Sequence, residues 1–236
     1  IEGLDAAYKL SILSTIGFHK YVKGSDVYSE GITKLKAKDF IYAKELGYAI
    51  KLIAVAHREN KSLQVRVHPA FIPENVIMAK VDGVFNAVEI TGDMVGQVFF
   101  HGMGAGPLPT SSAIISNLVE IGKKIINNDV SDSLPRIDSK LEINPISNLE
   151  TKYYIRLILA DKPGVFAKVG LLLGKLDISI SSVIQKEVIK GSGAAEVVIM
   201  THRSKESAIQ EALSQMKNLD IVKEIGNMVR VEEWVI

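Results

Sequence analysis

The sequence has no cysteine, almost no net charge and no long hydrophobic run, and each absence excludes a class of protein. Without cysteine among 236 residues, the chain has no disulfide framework, thiolate zinc site or cysteine nucleophile. Its 28 lysine and arginine residues nearly cancel 27 aspartate and glutamate residues, so no basic face for nucleic acid or membrane is predicted. No apolar run approaches the roughly 18 residues that a membrane span requires.

These absences predict a soluble, cytoplasmic protein whose partners are small molecules and further copies of itself. The five histidines are scattered and none has the spacing of helical metal ligands, so no metal site is predicted. With 47% hydrophobic residues, the chain is expected to fold into one large domain or two ordinary ones. No basic-then-apolar leader opens the chain. It starts at Ile1 without methionine and enters helical periodicity at once, which suggests a piece of a longer protein.

Residues 1–147 are predicted to form an α+β domain, a mixed sheet with helices on one face. Periodicity predicts helices over 3–18 and 38–46 and strands over 49–57, 85–91 and 95–101. Residues 62–68 alternate apolar and polar side chains, which predicts a half-exposed strand that Pro69 ends. Because residues 10–18 carry no charge, we expect the first helix to be buried on most of its circumference.

A glycine-rich segment, HGMGAGPLPT, leads from the last of these strands into a long amphipathic helix with Thr110 or Ser111 near its cap. The dinucleotide motif G-x-G-x-x-G, started at Gly102, would need its third glycine where Pro107 stands. No second parallel strand follows the helix, so a Rossmann domain is not predicted here. Two interpretations stay open: a loop without side chains that lies against a cofactor or a neighbouring domain, or a loop that only turns the chain.

Asp5 and Lys9 stand four residues apart at the start of the first helix, with the acid nearer the amino terminus. This order favours an ordinary surface salt bridge, which is the simplest interpretation. Because the rest of the helix is uncharged, we also consider that the pair projects from a buried element into a cavity. There the lysine would donate or accept a proton, and the aspartate would tune it or bind an ammonium group.

Residues 127–148 are polar and contain Pro135 and Pro145, so they are interpreted as a linker, with a domain boundary near 148. Beyond it, the pattern predicts a ferredoxin-like βαββαβ unit. Its strands are expected over 153–159, 178–186, 195–201 and 222–235, with a hairpin turn at 190–193. One helix follows the turn at 161–164, and Ser204 is expected to cap the other.

This unit resembles the ACT domain, a small amino-acid-sensing module. The resemblance rests on the turn D-K-P-G-V between the first strand and helix and on the segment LDISISS at residues 176–182. It implies an effector site at Asp161, Gly164, Val165, Asp177 and Ile178, although family members often have asparagine at the position of Asp177. Independently, Gly164 permits a close backbone approach, and amides at a helix start can hold a carboxylate. Many ACT domains serve chiefly as dimer interfaces, so the interpretation that this turn binds no ligand stays open.

Three segments, in the family's order, resemble homoserine dehydrogenase. They are IEGLDAAYKL at the amino terminus, ELGY with IKL at residues 45–52, and GAGPLPTSSA at residues 104–113. The D-A-x-x-K helix and the G-A-G-x-x-P-T segment are specific to that family, in which an appended ACT domain is common; the lead-in at residues 101–103 departs from its pattern. The resemblance implies a catalytic and dimerisation domain over 1–147, incomplete at its amino terminus, and an ACT regulatory domain over 148–236.

The resemblance also implies a reaction, the NAD(P)-dependent interconversion of L-homoserine and L-aspartate 4-semialdehyde in threonine, methionine and isoleucine biosynthesis. Lys9 would supply the proton, Asp5 would bind substrate, and Gly104, Ala105 and Gly106 would approach the nicotinamide nucleotide. NADP or NAD would be bound mainly by an amino-terminal Rossmann domain that this chain lacks, so the chain alone is expected to be inactive. A homodimer and feedback by L-threonine are implied as well.

Two non-enzymatic interpretations stay open beside this one. The first is a dimeric amino-acid-binding regulatory protein in which residues 1–147 are only a scaffold. The second is a purely structural interaction module. Binding of threonine would fit both the enzyme and the regulatory protein, whereas impaired activity of Asp5 or Lys9 variants would fit only the enzyme.

Overall fold

A computed structural model describes residues 1–128, 137, 140–189 and 191–233 of the chain. The helices within these ranges are α1 (Leu4–Phe18), α2 (Ala37–Glu45), α3 (Pro107–Ile126), α4 (Val165–Lys175) and α5 (Glu206–Met216). The first strands are β1 (Tyr28–Ser29), β2 (Tyr48–Glu59), β3 (Ser62–Pro73), β4 (Phe85–Gly92), β5 (Gly96–Met103) and β6 (Glu142–Ile143). The others are β7 (Glu150–Ala160), β8 (Ile180–Ile189), β9 (Ala194–Thr201), β10 (Ser204–Lys205) and β11 (Val222–Val231).

The chain divides into two compact units. The first comprises Ile1–Glu74 and Arg136–Ile236, and the second comprises Asn75–Pro135. The second unit contains α3 and the antiparallel pair β4–β5. The first unit thus contains both the start and the end of the chain, because strands from both lie in one sheet. The functional domains 1–147 and 148–236 stay a prediction.

The sheet of the first unit has nine strands, with the order β1-β3-β11-β7-β9-β8 along its main path. β2 and β3 form an antiparallel hairpin whose turn places Asn60 at φ 54°, a conformation that asparagine tolerates. At its other end, β11-β7-β9-β8 with α4 and α5 is the expected βαββαβ unit. The parallel pair β3–β11 joins the two parts through Ala70 with Arg230 and Phe71 with Val231.

The helices of the first unit, α1, α2, α4 and α5, cover both faces of this sheet. Ala7 and Leu10 of α1 pack with Leu63, Val65 and Val67 of β3. Side chains alternate along a strand, so Phe71, two pairs of residues beyond Val67, lies on the same face of β3 as Val67. Phe71 packs against α2, so α1 and α2 lie on the same face of the sheet. Residues of β7 on the opposite face pack against α4 and α5 in the largest apolar cluster. The predicted mixed sheet with helices on one face is confirmed for α1 and α2, and the ferredoxin-like unit is confirmed with its own helices opposite.

The prediction for β3 is wrong in two respects, because the strand continues to Pro73 and is buried on both faces. Its polar face is covered, and Arg66 donates to Glu232 at 2.7 and 2.9 Å. Pro69 does not end the strand. The carbonyl oxygens of Val67 and Phe71 accept from the N–H groups of Glu30 and Glu232, which follow β1 and β11. Pro69 lies midway between Val67 and Phe71, so its backbone nitrogen faces the same edge of β3, away from β2. Its missing N–H therefore removes no bond from the β2–β3 ladder.

The expectation that α1 is buried on most of its circumference is also wrong. Its inner face consists of small residues and one leucine, which are Ala7, Leu10, Ser11 and Ser14. The larger apolar side chains, at positions 4, 8, 12, 13 and 16, are 50–64% exposed. Periodicity assigns residues to one face of a helix, but it does not say whether the chain covers that face.

Smaller differences concern the ends of elements. α3 begins at Pro107 with Gly106 as its cap, three residues before Thr110, and Ser204 lies in β10 rather than capping α5. Part of the predicted linker is ordered, because Glu142–Ile143 pairs with the start of β3. The rest of that linker over 129–136 and 138–139, Lys190 of the predicted hairpin turn and the end of the last predicted strand, 234–236, lie outside the described residues.

Candidate functional site

The Asp5–Lys9 pair lies at the start of α1, where the sequence predicts it. The Lys9 Nζ atom is 2.7 Å from Asp5 Oδ2. The two side chains are 62% and 83% exposed, so the pair lies on an open face and the expectation of a cavity around it is wrong for this chain. The reason is that α1 packs on the sheet with its small residues, whereas the face that carries its larger apolar side chains is exposed. The roles of Lys9 in proton transfer and of Asp5 in substrate binding stay predictions.

The residues that precede α1 are fixed by the segment that follows β1. Ser29 Oγ donates to the Glu2 carbonyl at 3.1 Å, and the Ile32 N–H donates to the Ile1 carbonyl at 3.0 Å. Gly3 has φ 83° and caps the helix, and a Cβ atom there would come 3.0 Å from Ser29 Oγ. Only glycine combines this left-handed conformation with so close an approach. The position of the Asp5–Lys9 pair therefore depends on residues 29–32.

The glycine loop lies in the second compact unit, between β5 and α3. The Gly104 N–H donates to the Val84 carbonyl at 3.0 Å, and a Cβ atom at Gly104 would meet Asn86 Nδ2 at 1.9 Å. Gly106 has φ 128° and caps α3, with space beside its Cα because an added Cβ would meet only Pro109, at 3.6 Å or more. Gly106 is thus glycine for its backbone conformation, whereas at Gly104 a side chain would displace that of Asn86. Gly104 and Ala105 are exposed and Gly106 is half-buried, and together they form a bend at a helix start, which fits close approach of a nucleotide.

The predicted effector residues lie at both ends of α4. Asp161 and Gly164 are exposed at its amino-terminal end, where Gly164 has φ 85° and is the helix cap. Asp177 is exposed just beyond the other end, with φ 61°. Val165 and Ile178 are buried in the apolar core, so only their backbones can face a ligand. The 11-residue helix separates the two groups by roughly 16 Å.

A buried polar network that the sequence analysis missed lies beneath α2. Asp39, fully buried, accepts from Arg156 Nε at 2.7 Å and from Tyr154 and Asn227 at 3.0 Å each. Burial alone would raise the pKa of Asp39, but the hydrogen bonds from Arg156 and from the Lys36 N–H outweigh it and hold that pKa below its usual range. The carboxylate of α2 is therefore bound ionised against the sheet of the βαββαβ unit.

A second buried network lies on the opposite face, around Arg230. Its guanidinium donates to Glu206 at 2.8 and 2.6 Å and to Glu30 at 2.6 Å. Tyr28 and Tyr153 complete it, with hydroxyl contacts to Glu30 at 3.1 Å and to Glu206 at 3.0 Å. Burial opposes ionisation, but the Arg230 partner holds the pKa of Glu30 below its usual range, and Glu206 raises the pKa of Arg230.

A sequence signal for both networks exists, although the sequence analysis did not use it. Single charged residues lie inside the largely apolar strand segments YYIRLIL, AAEVVIM and NMVRV: Arg156, Glu196 and Arg230. Glu196 belongs to the first network, with its Oε2 atom 3.5 Å from Arg156 Nη1. A charge in such a run is buried only when it is paired. The pattern marks these residues as partners of something, but it does not identify the partner.

The described ranges, 1–128, 137, 140–189 and 191–233, contain neither a metal-binding cluster nor a helix that could span a membrane. No group of three or more histidine, aspartate or glutamate side chains in these ranges is arranged to hold a metal ion. None of the helices described is long and apolar enough to cross a membrane.

Comparison with known families gives two matches. The model of homoserine dehydrogenase matches residues 1–119 of the 236, and the model of the ACT domain matches residues 153–220. Homoserine dehydrogenase from Neisseria gonorrhoeae is 38% identical over 98% of this chain, and that from Synechocystis is 40% identical over 98%. These alignments cover only 54% and 55% of the relatives, so the chain spans about half of their length.

Solved structures give the same result. The crystal structure of a homoserine dehydrogenase from Thiobacillus denitrificans matches with a TM-score of 0.89 and 36% identity, over 99% of this chain and 54% of that one. A homoserine dehydrogenase from S. aureus matches with a TM-score of 0.66 and 26% identity, over 100% of this chain and 55% of that one.

Proposed function

Because this chain belongs to the homoserine dehydrogenase family, we propose that it is the carboxy-terminal half of a cytoplasmic, dimeric enzyme that interconverts L-homoserine and L-aspartate 4-semialdehyde. The observation that carries the proposal is the match of residues 1–119 to the homoserine dehydrogenase model, a stretch that includes Asp5 and Lys9 at the start of α1. We assign residues 1–147 to the catalytic and dimerisation domain and residues 148–236 to the ACT regulatory domain. The reaction belongs to threonine, methionine and isoleucine biosynthesis.

The chemistry divides between a cofactor and the side chains of α1. When bound, NAD or NADP in its reduced form supplies the hydride that the aldehyde carbon accepts. The aldehyde oxygen then needs one proton to become the hydroxyl of homoserine, and the Lys9 ammonium donates it. Asp5 binds the polar groups of the amino acid. Gly104, Ala105 and Gly106 would lie against the nicotinamide nucleotide, because their turn presents backbone rather than side chains.

Activity assays on two lengths of polypeptide test this assignment. We expect the full-length protein that contains this chain to reduce NAD or NADP when L-homoserine is added. We expect this chain alone to give no turnover, because the relatives are almost twice as long and we propose that the part of them outside the alignment binds the nucleotide. Full-length protein without homoserine-dependent activity would overturn the enzyme assignment. Turnover by this chain alone would show that the cofactor needs no further domain.

Regulation by an amino acid, most simply L-threonine, is the second part of the proposal. The two groups of effector residues are too far apart for one small amino acid to contact both in one chain, since α4 separates them by roughly 16 Å. Two ACT domains paired with opposite orientation would bring Asp161 and Gly164 of one chain to Asp177 of the other. The exposure of all three supports a site completed by a dimer.

Calorimetric titration of this chain with L-threonine tests the effector site. We expect saturable binding, and we expect Asp161→Ala to weaken it about tenfold or more, since a hydrogen bond to a charged group contributes about 1.5–3 kcal/mol. Glu211→Ala is the matched control, because it removes an exposed carboxylate of the same module whose hydrogen bond is to Gln215 within α5 and not to α4. Equal affinity of the Asp161 variant and the control would remove Asp161 from the site.

One observation favours the non-enzymatic alternative, a dimeric amino-acid-binding regulatory protein. Asp5 and Lys9 have the geometry of an ordinary exposed salt bridge between residues four apart. Titration of the full-length protein with homoserine and NADP separates the two functions. Binding of threonine without binding of homoserine or NADP would support the regulatory protein.

A further inference from the structure

We call β7, β8, β9 and β11 with α4 and α5 the ACT unit. Arg230 lies where this unit meets the segment that holds the start of α1. It belongs to β11, is 1% exposed, and faces two carboxylates from different parts of the chain. Glu206 begins α5 of the ACT unit and also accepts from Tyr153 and Gln210. Glu30 follows β1, in the stretch that the homoserine dehydrogenase model matches. A single buried cation thus binds one anion from that stretch and one from the ACT unit.

The contacts continue from Glu30 to α1 within three residues. The Glu30 N–H donates to the Val67 carbonyl of β3 at 2.8 Å, which fixes the backbone on the sheet. Ser29 and Ile32, on either side, hold the carbonyls of Glu2 and Ile1. The first helical bond of α1, from the Ala7 N–H to the Gly3 carbonyl at 2.9 Å, follows directly. An unbroken series of bonds therefore runs from α5 through Arg230 to the helix that carries Asp5 and Lys9.

Removal of this cation would leave two carboxylates facing one another in a poorly solvated place. Glu206 is 2% exposed, and the side chain of Glu30 is 15% exposed. The remaining partners of Glu30 are the Tyr28 hydroxyl, at 3.1 Å, and Lys34, at 3.2 Å, whose own side chain is 72% exposed and well hydrated. A cleft of about 830 Å³ opens beside both carboxylates, so the segment after β1 has room to move away. Repulsion would then act on the segment that positions α1.

We propose that Arg230 is the positioning residue through which the ACT unit fixes the start of α1. A shift of β11 or α5 would change the bond to Glu30 and, through residues 29–32, the placement of Asp5 and Lys9. The importance of that placement for turnover depends on the proposed function. The link between Arg230 and the start of α1 does not depend on that function, so an experiment can contradict either the link or the function without the other.

Amide hydrogen exchange on this chain tests the link without any assay of activity. We expect Glu30→Ala, which removes the bond to Arg230 at its less buried end, to accelerate exchange of the Ile32 and Ala7 amides about tenfold or more. Amides of the β8–β9 pair, such as Val198, should exchange at the wild-type rate. Lys34→Ala is the matched control, because it removes the exposed partner of the same carboxylate and should leave Ile32 and Ala7 unchanged.

Arg230→Lys provides the second variant, since it keeps the charge but cannot bind Glu206 and Glu30 with one planar fork. We expect the same local acceleration at Ile32 and Ala7. Arg156→Lys alters the other buried arginine, whose partner Asp39 lies in α2, and should spare these two amides. Unchanged exchange at Ile32 and Ala7 in Glu30→Ala, or an equal rise at every amide, would overturn the proposal. In the full-length protein, Glu30→Ala should lower kcat and leave the KM for the nicotinamide cofactor unchanged.

Discussion

In the full-length protein, Lys9→Ala is expected to lower kcat for homoserine oxidation by about 10²- to 10⁴-fold, the usual contribution of a positioned acid or base. The reason is chemical balance, because the hydroxyl proton of homoserine must leave when hydride is transferred to the cofactor. Without the amine of Lys9, water has to accept that proton. Steady-state rates with saturating homoserine and cofactor measure the loss directly.

The controls use other residues at the start of the chain. Lys23→Ala removes an exposed lysine that follows the same helix, and it should leave kcat at the wild-type value. Asp5→Asn should mainly raise the KM for homoserine, since its proposed role is to bind the amino acid rather than to transfer the proton. If Lys9→Ala kept wild-type kcat, the Asp5–Lys9 pair would be only a surface salt bridge and the proton donor would lie elsewhere.

The candidate site was predictable from the sequence where it depends on local geometry. Residues four apart on a helix are neighbours, so the contact between Asp5 and Lys9 followed from their spacing. Whether that contact is open or covered depends on what packs on α1, which periodicity does not contain. The apolar residues of α1 formed a recognisable face, but that face points away from the sheet. The expected cavity was wrong for this reason.

The fold was predictable where strands follow one another closely in the chain. The βαββαβ order of the ACT unit follows from short apolar strands and helices with turns between them. The parallel pairing of β3 with β11 is different, because it joins residues that are far apart in the chain, such as Ala70 and Arg230. The bond between Arg230 and Glu30 joins residues 200 positions apart. No local pattern encodes such a partner, so the joining of the two parts and the burial of both faces of β3 had to come from the structure.

Stability gives the other large predicted effect. Asp39→Ala is expected to lower the free energy of unfolding of this chain by about 3–5 kcal/mol, the usual cost of removing one partner of a buried ion pair. Arg156, 2% exposed, would then keep its charge beneath α2 with its bond at 2.7 Å lost. Tyr154 and Asn227 would lose an acceptor as well. Denaturation with urea, followed by circular dichroism, measures the change, with Asp161→Ala as an exposed control expected within about 0.5 kcal/mol of wild type.

The pH dependence of this effect has a defined sign. The pKa of Asp39 is lower in the folded chain than in the unfolded chain, so the folded state favours the ionised carboxylate. Its contribution is therefore complete above the unfolded value of about 4 and is lost as the pH falls through the folded pKa. The difference in stability between wild type and Asp39→Ala should shrink over that range and stay constant from about pH 5 to neutrality. A difference that grew on acidification would mean that Asp39 is bound protonated, and Glu196, 3.5 Å from Arg156, would then be the anion that pairs with this arginine.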